Sequence, residues 1–132
     1  MQLKVTNETA RVPVTVVHVD GNIDSASYES FLAGLEDAIN GGARHILLDL
    51  SHVPFVSSAG LRALNIVLTR LRTLTPDVSD VEMRKGINDG TYKSPHLKLL
   101  NPSKETLTTM ETSGFSMFIE TFHDLKTALA AF

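Results

Sequence analysis

Ile46-Leu47-Leu48-Asp49-Leu50-Ser51-His52-Val53-Pro54-Phe55-Val56-Ser57-Ser58-Ala59-Gly60, with the run to Leu74 behind it, decides how this chain folds. Ile46 to Leu50 is apolar except at Asp49, a length and composition that suit a strand covered on both faces. Ser51 to Pro54 is a short polar turn, and Val56 to Gly60 opens a helix. From there Leu61, Leu64, Val67, Leu68, Leu71 and Leu74 form one 3.6-residue stripe, with Arg62, Asn65, Thr69 and Arg72 on the wet side. Two hydroxyls, Ser57 and Ser58, therefore stand where a buried strand hands over to a helix N-terminus. In open α/β sheets that edge is the usual place for chemistry.

The flanking sequence repeats the alternation of strand and helix. Leu3 to Thr6 and the Val/Thr-rich Val12 to Val19 read as a hairpin around a turn at Asn7 to Ala10, with Pro13 at a strand start or sheet edge. Asp20-Gly21 breaks the second strand, and Asp24 reads as a helix N-cap. Tyr28, Phe31, Leu32, Leu35 and Ile39 then give the core stripe of a helix from about Ser25 to Asn40, stopped by Gly41 and Gly42. Beyond Leu74, Thr75 to His96 is polar, rich in charge and punctuated by Pro76, Gly86, Gly90 and Pro95. It is expected to be a surface excursion, cut first by protease near Arg84-Lys85-Gly86, with at most a helical turn near Val78 to Lys85. Leu97 to Leu100 is the next strand, Ser103 to Ser113 a helix closed by Gly114, and Phe115 to Thr121 a last strand. Thr121 to Asp124 offers a capping box for a final helix carrying Leu125, Ala128, Leu129 and Phe132. The expected fold is α/β, a mixed sheet of about five strands with about four helices, in one domain over residues 1–132.

Asp49-Leu50-Ser51-x-Val53-x-Phe55-Val56-Ser57-Ser58-Ala59-Gly60-Leu61 resembles the signature of STAS domains, and most closely that of the bacterial anti-anti-sigma factors, or anti-sigma factor antagonists. Gly21-Asn22-Ile23-Asp24 matches a second motif of that family, and the Ser-Gly-Phe segment and the terminal Asp-Leu-x-x-Ala-Leu resemble its C-terminal half. The likeness covers most of the chain except residues 75–96, which would be an insertion. It implies an anti-sigma factor of the GHKL serine-kinase type as partner, with phosphorylation on the second Ser of the motif, here Ser58, and a phosphatase to reset it. Asp24, Ser57, Ser58, Ala59, Gly60 and Arg62 would form the partner face. Many relatives have Asp where this chain has Ser57, which makes Ser57 a second candidate acceptor. STAS domains also serve as scaffolds in stress-signalling and lipid-transport assemblies, the alternative that the resemblance leaves open.

Other classes fare less well. Val56 to Gly60 half-matches the G-x-S-x-G nucleophile elbow of serine hydrolases, but Val56 stands where the first Gly is needed and no His is evidently paired with an acid. No catalytic residue is therefore assigned. His18, His45, His52, His96 and His123 show no metal-ligand spacing, and no Gly-rich phosphate loop follows a strand, so neither metal nor cofactor is expected. Twelve Lys and Arg against fifteen Asp and Glu give a net charge of −3, which disfavours a nucleic-acid surface. The absence of Cys rules out disulfides and fits a reducing cytoplasm. The first residues do not resemble a signal peptide, and no apolar run approaches the roughly 18 residues of a membrane span.

Overall fold

The computed structural model describes residues 1–75, 85 and 93–132. Its strands are β1 (Gln2–Thr9), β2 (Pro13–Asp20), β3 (Ile46–His52), β4 (Leu97–Leu100) and β5 (Thr121–Phe122). Its α-helices are α1 (Tyr28–Asn40), α2 (Ser58–Leu74), α3 (Lys104–Ser113) and α4 (Leu125–Ala130), with a 3₁₀ turn at Phe115–Met117. The sheet order is β1-β2-β3-β4-β5, with β1 antiparallel to β2 and the other neighbours parallel. This is the expected mixed sheet of five strands with four helices among the described residues, and Ile46–Leu50 lies at its centre.

The period-2 geometry of β3 divides the core. Ile46, Leu48 and Leu50 face one way, joining Val17, Val19, Leu97 and Leu99 beneath Phe31, Leu35 and Ile39 of α1 and Leu64, Val67 and Leu71 of α2. Met110 of α3 belongs to the same cluster. The crossover helices α1, α2 and α3 thus lie on one face, as right-handed connections along a sheet growing in one direction require. Leu47 faces the other way, into a smaller cluster with Val14, Val16, Leu100 and Ala128 of α4. Asp49, on that same second face, is half-buried and bonds to His18 and Ser51.

Four expectations are corrected. Residues 115–121 do not form a strand. Gly114 turns the chain with φ +85, Phe115–Met117 winds as 3₁₀, and pairing with β4 begins only at Thr121. Phe115 and Phe118 meet edge to face, with ring centroids 5.3 Å apart, and both pack on the main core. An extended strand would send alternate residues to opposite faces and separate them. α1 begins at Tyr28, and β1 runs on through Asn7 and Glu8 to Thr9. The final helix is capped by Asp124 alone, whose carboxylate accepts from the Thr127 N–H at 2.9 Å, while Thr121 belongs to β5.

Of the expected excursion, residues 76–84 and 86–92 lie outside the described residues. Its last residues are packed rather than loose. Ser94 and His96 are buried, the Ser94 N–H bonds to the Phe118 carbonyl at 2.8 Å, and the His96 ring meets the Arg44 carbonyl at 3.1 Å.

Candidate functional site

Three loops converge at the C-terminal edge of the parallel strands. After β2, Ile23 makes an isolated parallel bridge with Val56: its N–H bonds to the Phe55 carbonyl at 3.0 Å, and its carbonyl accepts from the Ser57 N–H at 2.8 Å. The loop bearing Asp24 is thereby tied to the residue before α2. After β4, the Ser103 hydroxyl caps α3 and lies 3.0 Å from the Pro54 carbonyl, which joins a third loop to the second.

Asp24 is half-buried, and its Oδ1 accepts from the N–H groups of Ala26 and Ser27 at 3.0 and 3.1 Å. The expected cap is corrected: α1 begins at Tyr28 with Ser27 at its N-cap, and Asp24 instead stiffens the turn ahead of the helix. Ser57 is the N-cap of α2, with extended backbone (φ −84, ψ 178) and its hydroxyl accepting from the Ala59 N–H at 3.2 Å. Asp and Ser are both good caps, so Ser57 in place of the relatives' Asp keeps that function. Ser58, the first residue of the helix, is exposed, and its hydroxyl makes no hydrogen bond among the described residues. It stands at the positive end of a helix whose first-turn amides lack internal acceptors. α2 carries Arg62, Arg70 and Arg72 and no acidic residue.

The six expected face residues divide. Asp24, Ser57, Ser58 and Ala59 are brought together, with Arg62 exposed one turn along α2. Gly60 instead points inward and is buried. A Cβ there would lie 2.7 Å from Val56 Cγ1, 2.8 Å from Ile23 Cγ2 and 3.0 Å from the Ile23 carbonyl oxygen. Gly60 lets α2 settle onto the Ile23–Val56 bridge, so it positions the serines rather than presenting a surface.

Sequence reasoning missed Phe55, a large apolar side chain left 44 % exposed beside the serines. It also missed the Asn101–Ser103 loop, where Asn101 adopts φ +51 and its side chain reaches the Ser51 hydroxyl at 3.3 Å. Asn is the residue that most readily takes that conformation after Gly, and it was the available signal. Behind the site, on the second face, Thr6, His18, Asp49 and Ser51 form a hydrogen-bonded row across β1, β2 and β3. His18 Nδ1 lies 2.7 Å from Asp49, and His18 Nε2 lies 3.0 Å from the Thr6 hydroxyl. Burial works against the Asp49 charge, but the hydroxyl and amide of Ser51, and then His18, hold its pKa below the ordinary value. No His or carboxylate bonds to Ser58, so the geometry holds no charge relay on that hydroxyl among the described residues.

The STAS domain family matches residues 3–78. BtrV of Bordetella bronchiseptica, which bears the name of an anti-sigma factor antagonist, is 27% identical over 114 residues, covering 86% of this chain and 82% of BtrV. Among solved structures, an anti-sigma factor antagonist from Mycobacterium paratuberculosis superposes with TM-score 0.68 at 18% identity, over 98% of this chain and 93% of its own. The phosphorylated form of the Bacillus cell fate determinant SpoIIAA gives TM-score 0.60 at 18% identity, over 95% and 96%. A family match over more than half of the chain, on a five-stranded mixed sheet shared with these antagonists, establishes that the chain belongs to the STAS domain family.

Proposed function

We propose that the chain is an anti-sigma factor antagonist whose binding is switched at Ser58. Unmodified, it docks on an anti-sigma factor that is also a GHKL-type serine kinase, through Asp24, Ser57, Ser58, Ala59 and Arg62, and so frees a sigma factor in the cytoplasm. The observation that carries this reading is the division of labour between the two serines. Ser57 is committed to capping α2, while Ser58 is exposed and unengaged. The SpoIIAA structures, in phosphorylated and unphosphorylated forms, show that one protein of this fold exists in both states.

The partner would bring ATP and Mg²⁺ and present the γ-phosphate to the Ser58 hydroxyl, whose proton leaves as the new P–O bond forms and ADP departs. The product adds about −1.5 to −2 charges at neutral pH. Within this chain the dianion meets the α2 N-terminus, first-turn amides and a helix of arginines, so the fold tolerates it. Across the interface it meets a surface shaped for a neutral hydroxyl and lying next to nucleotide phosphates. Repulsion and lost hydration there release the partner, and a phosphatase restores the starting state. The chain supplies the acceptor and catalyses nothing itself.

Calorimetry with the cognate anti-sigma kinase and ADP tests this. Ser58→Ala should bind as wild type does and resist release by ATP. Ser58→Asp should fold normally and bind more than about a hundredfold more weakly, a loss of about 3 kcal/mol. Equal affinity of wild type and Ser58→Asp, or phosphate found at another residue, would rule the proposal out.

A further inference from the structure

We propose that β1 is a self-association edge, pairing antiparallel with β1 of a second copy to join two sheets into one. The inference is independent of the switch at Ser58, since the three-loop site is built on the ends of β2, β3 and β4 and uses no residue of β1.

β1 ends the strand order and is eight residues long, against two for the opposite edge strand, β5. Six of its eight residues are exposed. Every residue from Gln2 to Thr9 pairs with β2 in unbroken register, so no bulge twists the outer row of backbone groups away. No Pro interrupts it, and Lys4 is its one basic guard. Both ends are fixed. Leu3 fills the notch that Gly34 leaves in α1, where a Cβ would lie 2.1 Å from Leu3 Cδ1, and beyond the hairpin turn Arg11 donates to the Ala130 carbonyl at 3.0 Å. A long, straight, held edge is a template for another strand.

The side chains select a second copy and one register. Opposed residues of an antiparallel pair share both face and hydrogen-bonding direction, so the two-fold axis must fall on a residue. Only two choices keep seven residues paired. About Val5, Lys4 faces Thr6 and Glu8 faces Gln2, and neither charge is answered. About Thr6, Lys4 faces the partner's Glu8 and Glu8 faces the partner's Lys4, with Val5 against the partner's Asn7 and Leu3 against the partner's Thr9. The face toward α1 leaves room for this. Val5 is 48 % exposed and borders, with Asn7, Ala38 and Gly42, an open hollow of about 490 Å³.

Sedimentation equilibrium of the full chain, from micromolar to millimolar, tests the pairing. Wild type should be a monomer–dimer mixture. Lys4→Glu and Glu8→Lys each set two like-charge pairs face to face and should raise the dimer dissociation constant by roughly tenfold or more. Both residues are exposed, so thermal melts at concentrations where wild type is monomeric should stay unchanged. The double variant Lys4→Glu/Glu8→Lys should return the constant to within about threefold of wild type. A wild type that stays monomeric throughout, single variants that dimerise as wild type does, or a double variant no tighter than the singles would each overturn the proposal.

Discussion

A methyl group at position 60 would find no room. Two of the three atoms in its way are side-chain carbons of Val56 and Ile23, and the third is the Ile23 carbonyl oxygen that accepts from Ser57. Gly60→Ala should therefore cost about 1–3 kcal/mol in urea denaturation and loosen the tie between the two loops, an overpacking cost that any gain in helix propensity does not offset. The adjacent serines should separate cleanly in the same measurement. Ser57→Ala removes a cap and should cost about 1 kcal/mol, whereas Ser58→Ala removes an exposed hydroxyl with no bond and should change stability by less than about 0.5 kcal/mol. Equal losses would contradict the division of labour between them. The motif drew attention to both hydroxyls, but their types alone could not assign the cap. The inward turn of Gly60 was likewise hidden, because it depends on contacts with Ile23, distant in sequence.

At the scale of elements, β3 and α2 were readable because each carries a redundant pattern of its own: a run too apolar, even with Asp49 in it, to be half-buried, and a long 3.6-residue stripe. Phe115 to Thr121 was misread because a short apolar run has no such redundancy. The Gly114 turn and the packing of Phe115 on Phe118 settle its shape, and both are tertiary matters. The Asn101–Ser103 loop escaped notice for the same reason. Ser103 joins two elements, capping α3 through the Thr106 N–H at 3.1 Å and reaching the Pro54 carbonyl at 3.0 Å. Ser103→Ala should cost about 1–2 kcal/mol, the upper part of the range for a cap because a second bond goes with it. Amide exchange should quicken at Thr106 and Leu107 more than in α1.

For the molecule as a whole, His45 and the carboxylates of Asp49 and Asp124 set the response to acid. His45 lies near His96 and Phe132, with ring centroids 5.7 and 6.0 Å away. Burial, then the proximity of His96 and Lys98, lowers its pKa from the ordinary 6.5. The unfolded chain therefore takes up a proton first, and stability falls as the pH drops below about 6.5, levelling off once the folded state is protonated too. Asp49 also has a lowered pKa, which for an acid means stability present above its unfolded value, ordinarily 3.8, and lost as the pH falls through the folded value. Denaturation midpoints measured against pH should show two successive declines. His45→Gln should remove the upper one, and Asp49→Asn should shrink the lower, to which Asp124, its pKa lowered by the amide and hydroxyl of Thr127, also contributes. A single decline unaffected by His45→Gln would show that burial of that ring is not coupled to its charge. Neither His45 nor Asp49 could be identified from the sequence as a contributor: the His45 shift needs the burial and the neighbours His96 and Lys98 that only the fold supplies, and the Asp49 shift needs the local turn that brings the Ser51 hydroxyl and amide onto its carboxylate.

The order of the strands has a bearing on how the chain is made. Each strand lies beside the one synthesised just before it, from β1 through β5. No strand has to wait for a later one to slot between it and its neighbour, so the sheet can be laid down in the order in which the ribosome delivers it. At each stage only β1 and the newest complete strand stand open, and the newest is covered as soon as its successor emerges. The edge that stays open from the first strand to the last is β1.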